Sequence, residues 1–209
     1  MRKFRNIAVV LVAAFVAAGL FDKLTARADD QPAKPAAPPA GSPRAVVVTF
    51  FQSFSDGNAK ALRAAVLADS DDERKVADGM ADVAGAVAAA RKAIVSKFKV
   101  RDQDVNVHII PVEMFNAMTE KVEADNATIM QDHEVFMVLK KVNGAWKIPL
   151  GELLKKGGKT TDQTMTDLHG SIDRVGQVTS QIESGKFTTA EEAAKAISEA
   201  VPTRDGGGR

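Results

Sequence analysis

The dipeptide Asn143-Gly144 constrains the fold of this chain more than any other feature. A two-residue type I′ turn needs positive φ angles at both central positions, and Asn-Gly adopts them readily. Apolar and aromatic residues flank the dipeptide at 135–139 and at 146–148. The sequence therefore predicts a β-hairpin whose two strands pair across this turn.

More strand candidates precede the hairpin. Residues 120–124 and 127–131 are short strand-like segments joined by a tight turn at Asp125-Asn126, and residues 134–141 follow them. Together with the hairpin they predict an antiparallel meander. Further upstream, Val105, Val107 and Ile109 alternate with polar residues, which is typical of a half-buried strand.

Helical patterns occupy the chain before the meander. Ser42-Pro43 is a capping pair for a first helix. A short helix is predicted over 59–68, and a long one follows Ser70 and extends to Phe98. Helices followed by antiparallel strands indicate the α+β class, with the N-terminal helices packed on a curved sheet. The predicted core residues are Phe50, Phe54, Leu62, Val83, Val87, Phe136, Val138, Trp146 and Ile148.

A C-terminal helical segment is predicted over residues 160–201. Its apolar residues recur at helical spacing, and Thr188 or Thr189 would cap a last helix. A helical pair of this size cannot form its own core. We therefore expect it to pack on the central domain, residues 44–156, or on a second copy of the chain. Residues 202–209 are expected to be a disordered tail. The spaced apolar residues are Met165, Leu168, Ile172, Val175 and Ile182.

The N-terminal residues 1–28 have the layout of a secretory signal peptide. Basic residues precede an apolar run at 7–21, and Ala26-Arg27-Ala28 is a small-x-small cleavage pattern. The run is shorter than the roughly 20 residues that a membrane-spanning helix needs, so cleavage between Ala28 and Asp29 is favoured over a retained anchor. Residues 29–43 are rich in proline and alanine and predict an extended linker.

Charge and composition exclude several functions. Removal of residues 1–28 takes away five basic residues and one acidic residue, so the net charge falls from +1 to about −3. A slightly acidic chain lacks the positive surface of a nucleic-acid binder and the polybasic patch that would hold it on anionic lipid. With no cysteine, disulfides, thiolate zinc sites and cysteine nucleophiles are excluded. The histidines lack metal-site spacing, and neither a metal nor another cofactor is predicted.

The central part of the chain resembles the nuclear transport factor two-like superfamily in its exported bacterial form. The resemblance rests on the helix at 46–54, the short helix ending at Asp69, the strand at 126–129 and the closing segment Gly144-Ala145-Trp146-Lys147-Ile148. It covers about residues 43–156 and implies a curved sheet wrapped around a long helix, forming a cone with an apolar pocket. Such a pocket would be lined by Phe50, Phe54, Val87 and Trp146, although all four are ordinary core residues for their positions.

Enzymes of that superfamily place an acid or a base in the cone. His108 is the best candidate base, with Glu113 or Asp132 as its carboxylate partner. The simpler interpretation is a solvent-facing histidine on a strand. The chain has no tyrosine, so an enzyme that uses a phenol to polarise a carbonyl is excluded.

Three functional hypotheses follow. The favoured one is an exported, non-catalytic binding or assembly module of the cell envelope, periplasmic or extracellular. Its partner would be an apolar small molecule, an envelope protein or a second copy of the chain, with no nucleic acid, and with membrane contact only through an uncleaved N-terminus. The alternatives are a small isomerase-like or dehydratase-like enzyme that acts on an apolar molecule in the cone, and a protein-interaction arm formed by the C-terminal helices.

Overall fold

A computed structural model describes residues 38–107, 115, 118–131 and 134–201. Within these ranges the chain is α+β, with helices before and after a five-stranded sheet, as predicted. The helices are α1 (Pro43–Ser55), α2 (Ala59–Ala65), α3 (Asp71–Phe98), α4 (Leu150–Gly157), α5 (Thr161–Glu183) and α6 (Ala190–Ala200). The strands are β1 (Val66–Leu67), β2 (Thr119–Glu123), β3 (Asn126–Gln131), β4 (Glu134–Val142) and β5 (Ala145–Pro149).

The predicted helix starts are confirmed by side-chain caps. The Ser42 hydroxyl accepts a hydrogen bond from the backbone N–H of Ala45, and the Ser70 hydroxyl accepts one from that of Glu73. Thr160 and Thr189 each begin a capping box, the first opening α5 and the second α6. Since such caps satisfy backbone donors that a helix leaves unpaired, the short polar residues before each apolar run fix where the helices begin.

The sheet has the order β1-β5-β4-β3-β2 and is mixed. The predicted meander from β2 to β5 is confirmed, and its last turn has φ of +50° at Asn143 and +81° at Gly144, as a type I′ turn requires. The first turn lies one residue earlier than predicted. Ala124 has a positive φ of +51°, and Asn126 already belongs to β3, paired with Glu123.

The short helix predicted over 59–68 is wrong in its last turn. Helix α2 ends at Ala65, and Val66 and Leu67 form β1, which pairs in parallel with Ile148 and Pro149. A β-branched residue such as Val66 favours extended backbone, and here the open edge of β5 supplies the hydrogen-bonding partner. The sheet is therefore not purely antiparallel.

A β-bulge in β4 reverses one core prediction. Ile129 pairs with Met137 but Met130 pairs with Val135, so Phe136 is the extra residue. Phe136 and Met137 are both buried as a result, and the alternation then continues with the opposite phase. Val138, predicted to lie in the core, is 37% exposed.

The region around Val105 also differs from its prediction. Val105 and Val107 are both buried, at 3% exposure, but residues 105–107 belong to no strand and follow a 3₁₀ turn, Asp102–Asp104. The backbone carbonyl of Val105 accepts a hydrogen bond of 2.9 Å from Arg91 instead of joining a ladder. Ile109, the third apolar residue of this pattern, lies outside the described residues.

Helix α3 is shared by two layers of the fold. It packs against α1 and α2 and also against α5 and α6, while α1 contacts β3 and β5. At Gly79 the side chains of Leu168 and Met165 come so close that a Cβ added to this glycine would lie 2.9 Å from the Leu168 side chain. The C-terminal helices therefore pack on the central part of the chain, in one continuous core that includes Leu168, Val175, Ile182, Ile197 and Val201.

Helix α4 was not predicted. It begins directly after Pro149 with Leu150 and Leu153 buried, and it ends at Gly157, followed by the C-cap residue Gly158 with a φ of +67°. Eight residues give too short a pattern for helical periodicity to be recognised from sequence.

Candidate functional site

The predicted catalytic residues lie outside the described part of the chain. His108, Glu113 and Asp132 fall in its gaps, as do Ala28 and Asp29 at the predicted cleavage point. The enzyme hypothesis and the cleavage site therefore stay predictions.

The residues predicted to line a pocket are part of the packed core. Phe50, Phe54 and Val87 have no exposed surface, and the Phe50 and Phe54 rings meet edge to face with centroids 5.4 Å apart. Trp146 is 9% exposed and carries the Lys141 ammonium over its ring, 5.6 Å from the centroid. Edge-to-face rings and a cation over an indole are stabilising contacts, so these four side chains have structural roles in the fold.

Arg91 is the most buried charged side chain among the described residues, and both of its terminal nitrogens donate hydrogen bonds. Its guanidinium donates to the carbonyls of Ser55, Val105 and Asp102, at 3.3, 2.9 and 2.9 Å, and contacts the Asp102 carboxylate at 3.3 Å. Sequence reasoning missed this residue because a single arginine in an alanine-rich helix resembles an exposed one. Arg91 joins the end of α1 to the segment before His108.

Other basic side chains also donate hydrogen bonds to backbone carbonyls of distant elements. Lys147 donates to the carbonyl of Ala64 near the end of α2, Lys97 to that of Glu183 at the end of α5, and Arg174 to that of Ala200 at the end of α6. The last carbonyls of a helix lack partners and carry partial negative charge. In each case a cation from another element satisfies one of them.

Acidic side chains serve the opposite helix ends. The Glu120 carboxylate on β2 accepts the backbone N–H of Arg44 in the first turn of α1, at 3.2 Å, while the Arg44 guanidinium donates to the carbonyl of Met118. The Glu192 carboxylate accepts hydrogen bonds from Thr188 and from the N–H of Thr189 at the start of α6. Carboxylates at helix N-termini are stabilising, so these acids are engaged in holding the fold.

These contacts make the Glu192 cap sensitive to acid. Hydrogen bonds from the Thr188 hydroxyl and N–H lower the pKa of Glu192 below its usual 4.5. A carboxyl whose pKa is depressed by folding contributes stability above its unfolded pKa, and that contribution is lost as the pH falls through the folded pKa. We expect Glu192→Gln to destabilise the protein at neutral pH and the gap to the parent to close below pH 4.5. Thermal unfolding measured across this range tests it.

Glu191→Gln is the matched control, because Glu191 lies in the same exposed first turn but has no hydrogen bond within the described part of the chain. A gap that persists unchanged into acid, or an equal gap for Glu191→Gln, would contradict the role given to the Glu192 carboxylate.

No metal site is formed by the described residues, in which no three histidine, aspartate or glutamate side chains come together. A surface depression of about 470 Å³ lies where α3 begins and where α4 meets α5. Its charged groups are Asp72, Lys155, Lys159 and Asp162, and Lys159 is already paired with Asp167 at 2.7 Å. The capping box likewise occupies the backbone N–H groups of Thr160 and Gln163 at the start of α5. The depression therefore lacks a charged group that is both held in a fixed position and available to bind a ligand.

The Lys156 side chain stabilises the bulge of β4 and does not line the depression. Its ammonium donates to the carbonyls of Val135 and Phe136, at 2.6 and 3.1 Å. Burial lowers the pKa of Lys156, and the nearby Glu134 opposes this shift.

One face of the sheet exposes large apolar side chains. We call one side of the sheet the outer sheet face. It is the side opposite to the buried side chains of Ile129 and Leu139, and its residues are identified from the strand pairing. Val135 is 46% exposed and Val138 is 37% exposed on this face. Contiguous exposed apolar area is typical of interaction sites, so this face is the candidate interaction surface among the described residues. Within β2 to β4 the outer sheet face consists of Thr119, Lys121, Glu123, Asn126, Thr128, Met130, Val135, Val138 and Lys140.

Comparison with known proteins gives no relative. No family model, curated protein or solved structure matches this chain. The resemblance to the nuclear transport factor two-like superfamily thus stays a prediction. None of the helices in the described ranges has both the length and the apolar character that crossing a bilayer requires.

Proposed function

We propose that this protein is an exported, non-catalytic binding or assembly module of the cell envelope, and that it binds a protein partner through the outer sheet face. The observation that carries the proposal is a contrast between two sets of side chains, those that stabilise the fold and those that face solvent. Arg91 and Lys147 reach across the described structure to backbone carbonyls, and the Glu192 carboxylate caps the start of α6. Val135 and Val138, in contrast, face solvent with no structural role.

The burial of the sequence-predicted pocket residues supports binding over catalysis. A reaction on an apolar molecule would need space beside Phe50, Phe54 or Val87, and these side chains are packed against each other and the rest of the core. The arm hypothesis is also less well supported. The apolar face of α5 and α6 is occupied by α3, so these helices offer a partner mostly polar surface.

The chemistry of the outer sheet face fits a protein surface. Exposed valines supply apolar area, Thr128 is half-buried between them and the edge strand, and Lys121 and Lys140 form a polar rim. An apolar centre with a polar rim is the usual anatomy of a protein interface. The Lys121 ammonium is paired with Glu123 at 2.6 Å, which keeps the rim close to neutral.

Site-specific photo-crosslinking in intact producing cells tests the proposal. We expect a crosslinker at Val138 to give a discrete product, whose mass identifies the partner as a second copy or as another envelope protein. We also expect the N-terminal peptide of the crosslinked chain to begin at Asp29. Val122 is the matched position, because it is 49% exposed on the same sheet but has the strand phase of buried Ala127. Equal products from both positions, or none from Val138 in well-expressed chain, would overturn the assignment of this face. An N-terminal peptide from within residues 1–28 would overturn export with cleavage.

A further inference from the structure

We propose that Asn143 is a site of spontaneous deamidation, and that the reaction controls the integrity of the β4–β5 hairpin. Of the six asparagines in the sequence, Asn143 is the only one followed by glycine. The side chain of the following residue hinders ring closure onto an asparagine, and at Gly144 there is none. A Cβ built at Gly144 has no atom within 4 Å, so the neighbouring structure leaves this turn open as well.

The surroundings of Asn143 favour it over the other described asparagines. Asn143 and Gly144 are both exposed, and no contact in the described part of the chain holds the Asn143 amide. In comparison, the Asn58 side chain accepts the N–H of Ala61 at 3.0 Å, Asn126 is paired inside β3, and Asn106 is followed by the β-branched Val107.

The reaction is balanced with water as the only co-reactant. The backbone nitrogen of Gly144 attacks the side-chain amide carbon of Asn143, the bond from that carbon to the amide nitrogen breaks, and ammonia leaves with the proton of the attacking N–H. Water then opens the cyclic imide at one of its two carbonyls, giving aspartate or isoaspartate. Ring closure requires rotation about ψ and χ1 of Asn143 away from the type I′ turn, so attack occurs when the hairpin tip opens. Such exposed tips open at little cost in free energy.

The two products have opposite consequences for the fold. Asp-Gly favours the same type I′ turn as Asn-Gly, so aspartate preserves the pairing of Val142 with Ala145 and of Lys141 with Trp146. Isoaspartate routes the main chain through the former side chain and adds one methylene to it. A two-residue turn cannot absorb this carbon without disturbing the register at Trp146.

Peptide mapping by mass spectrometry of the folded full-length chain, aged in mildly alkaline buffer, tests the site. We expect conversion at Asn143 ahead of Asn58, Asn106 and Asn126, with both products present. Conversion of any of those three before Asn143 would overturn the proposal.

Thermal unfolding tests the consequence for the hairpin. The Asn143→Asp variant should keep the parent melting midpoint, whereas the aged chain that contains isoaspartate should melt lower. The Asn143→Gly variant keeps a turn-compatible pair but has no amide to lose, so its midpoint should not change on ageing. A decline of Asn143→Gly equal to that of the parent would place the damage elsewhere and reject the link to the hairpin.

Discussion

Deletion of residues 160–209 is expected to abolish cooperative unfolding of the remaining chain. Helices α5 and α6 bury Leu168, Val175, Ile182 and Ile197 against the core. Each such side chain contributes about 1.5 to 3 kcal/mol, so their loss totals on the order of 10 kcal/mol, which is comparable with the whole stability of a typical domain. Circular dichroism melting and solubility of the purified variant measure this directly.

A shorter deletion is the matched control. A chain that ends at Val201 keeps every core residue of the described structure, including Val201 itself at 4% exposure, and it should melt as the parent does. If the chain without residues 160–209 remains soluble and keeps the parent melting midpoint, the C-terminal helices do not stabilise the fold.

The second large effect is expected at Gly57, where the turn between α1 and α2 lies directly on α3. Gly57 has a φ of +69°, and a Cβ added to it would lie 2.5 Å from the Cβ of Ala88 and 2.7 Å from its backbone nitrogen. The backbone of a buried helix cannot move aside as a flexible side chain can. Gly57→Ala should therefore lower the free energy of unfolding by about 4 kcal/mol, combining the strain of positive φ with overpacking.

Two other glycines separate these causes in denaturant titrations. Gly144 has a φ of +81° and no atom within 4 Å of the position a Cβ would take, so Gly144→Ala should cost only the backbone strain, about 1 to 2 kcal/mol. Gly85 lies within α3 with open space beside it, and Gly85→Ala should stabilise the protein by about 1 kcal/mol. Equal losses for Gly57→Ala and Gly144→Ala would show that contact with Ala88 has no part in the effect.

Features decided by neighbouring residues in the sequence could be predicted. The Asn143-Gly144 turn, the Ser70 cap and the spacing of Leu168, Val175 and Ile182 are local patterns, and each lies in the predicted element. Features that need a distant partner could not. Val66 is a strand residue only because β5 passes beside it, and Val138 faces solvent only because Phe136 is an extra residue in the pairing with β3.

The same limit applies to the candidate site. The exposed phase of Val138 follows from the bulge, and sequence alternation placed this residue in the core. The roles of Lys147, Lys97 and Arg174 depend on which helix end lies nearby in space, and charge patterns alone present them as solvated residues. Charge and cysteine content could exclude classes of function from the sequence. Identifying a candidate interaction surface, however, required the three-dimensional arrangement of the strands.

The position of α3 between two helical layers has a consequence for synthesis of the chain. Helix α3 is complete at Phe98, yet α5, which covers part of it, ends only at Glu183. During translation, the apolar side of α3 that faces α5 therefore stays uncovered while the 85 residues from 99 to 183 are made. Contacts between residues so far apart in sequence form late and slow folding. The nascent chain should consequently remain incompletely folded, and accessible to chaperones that hold apolar segments, until α5 and α6 have left the ribosome.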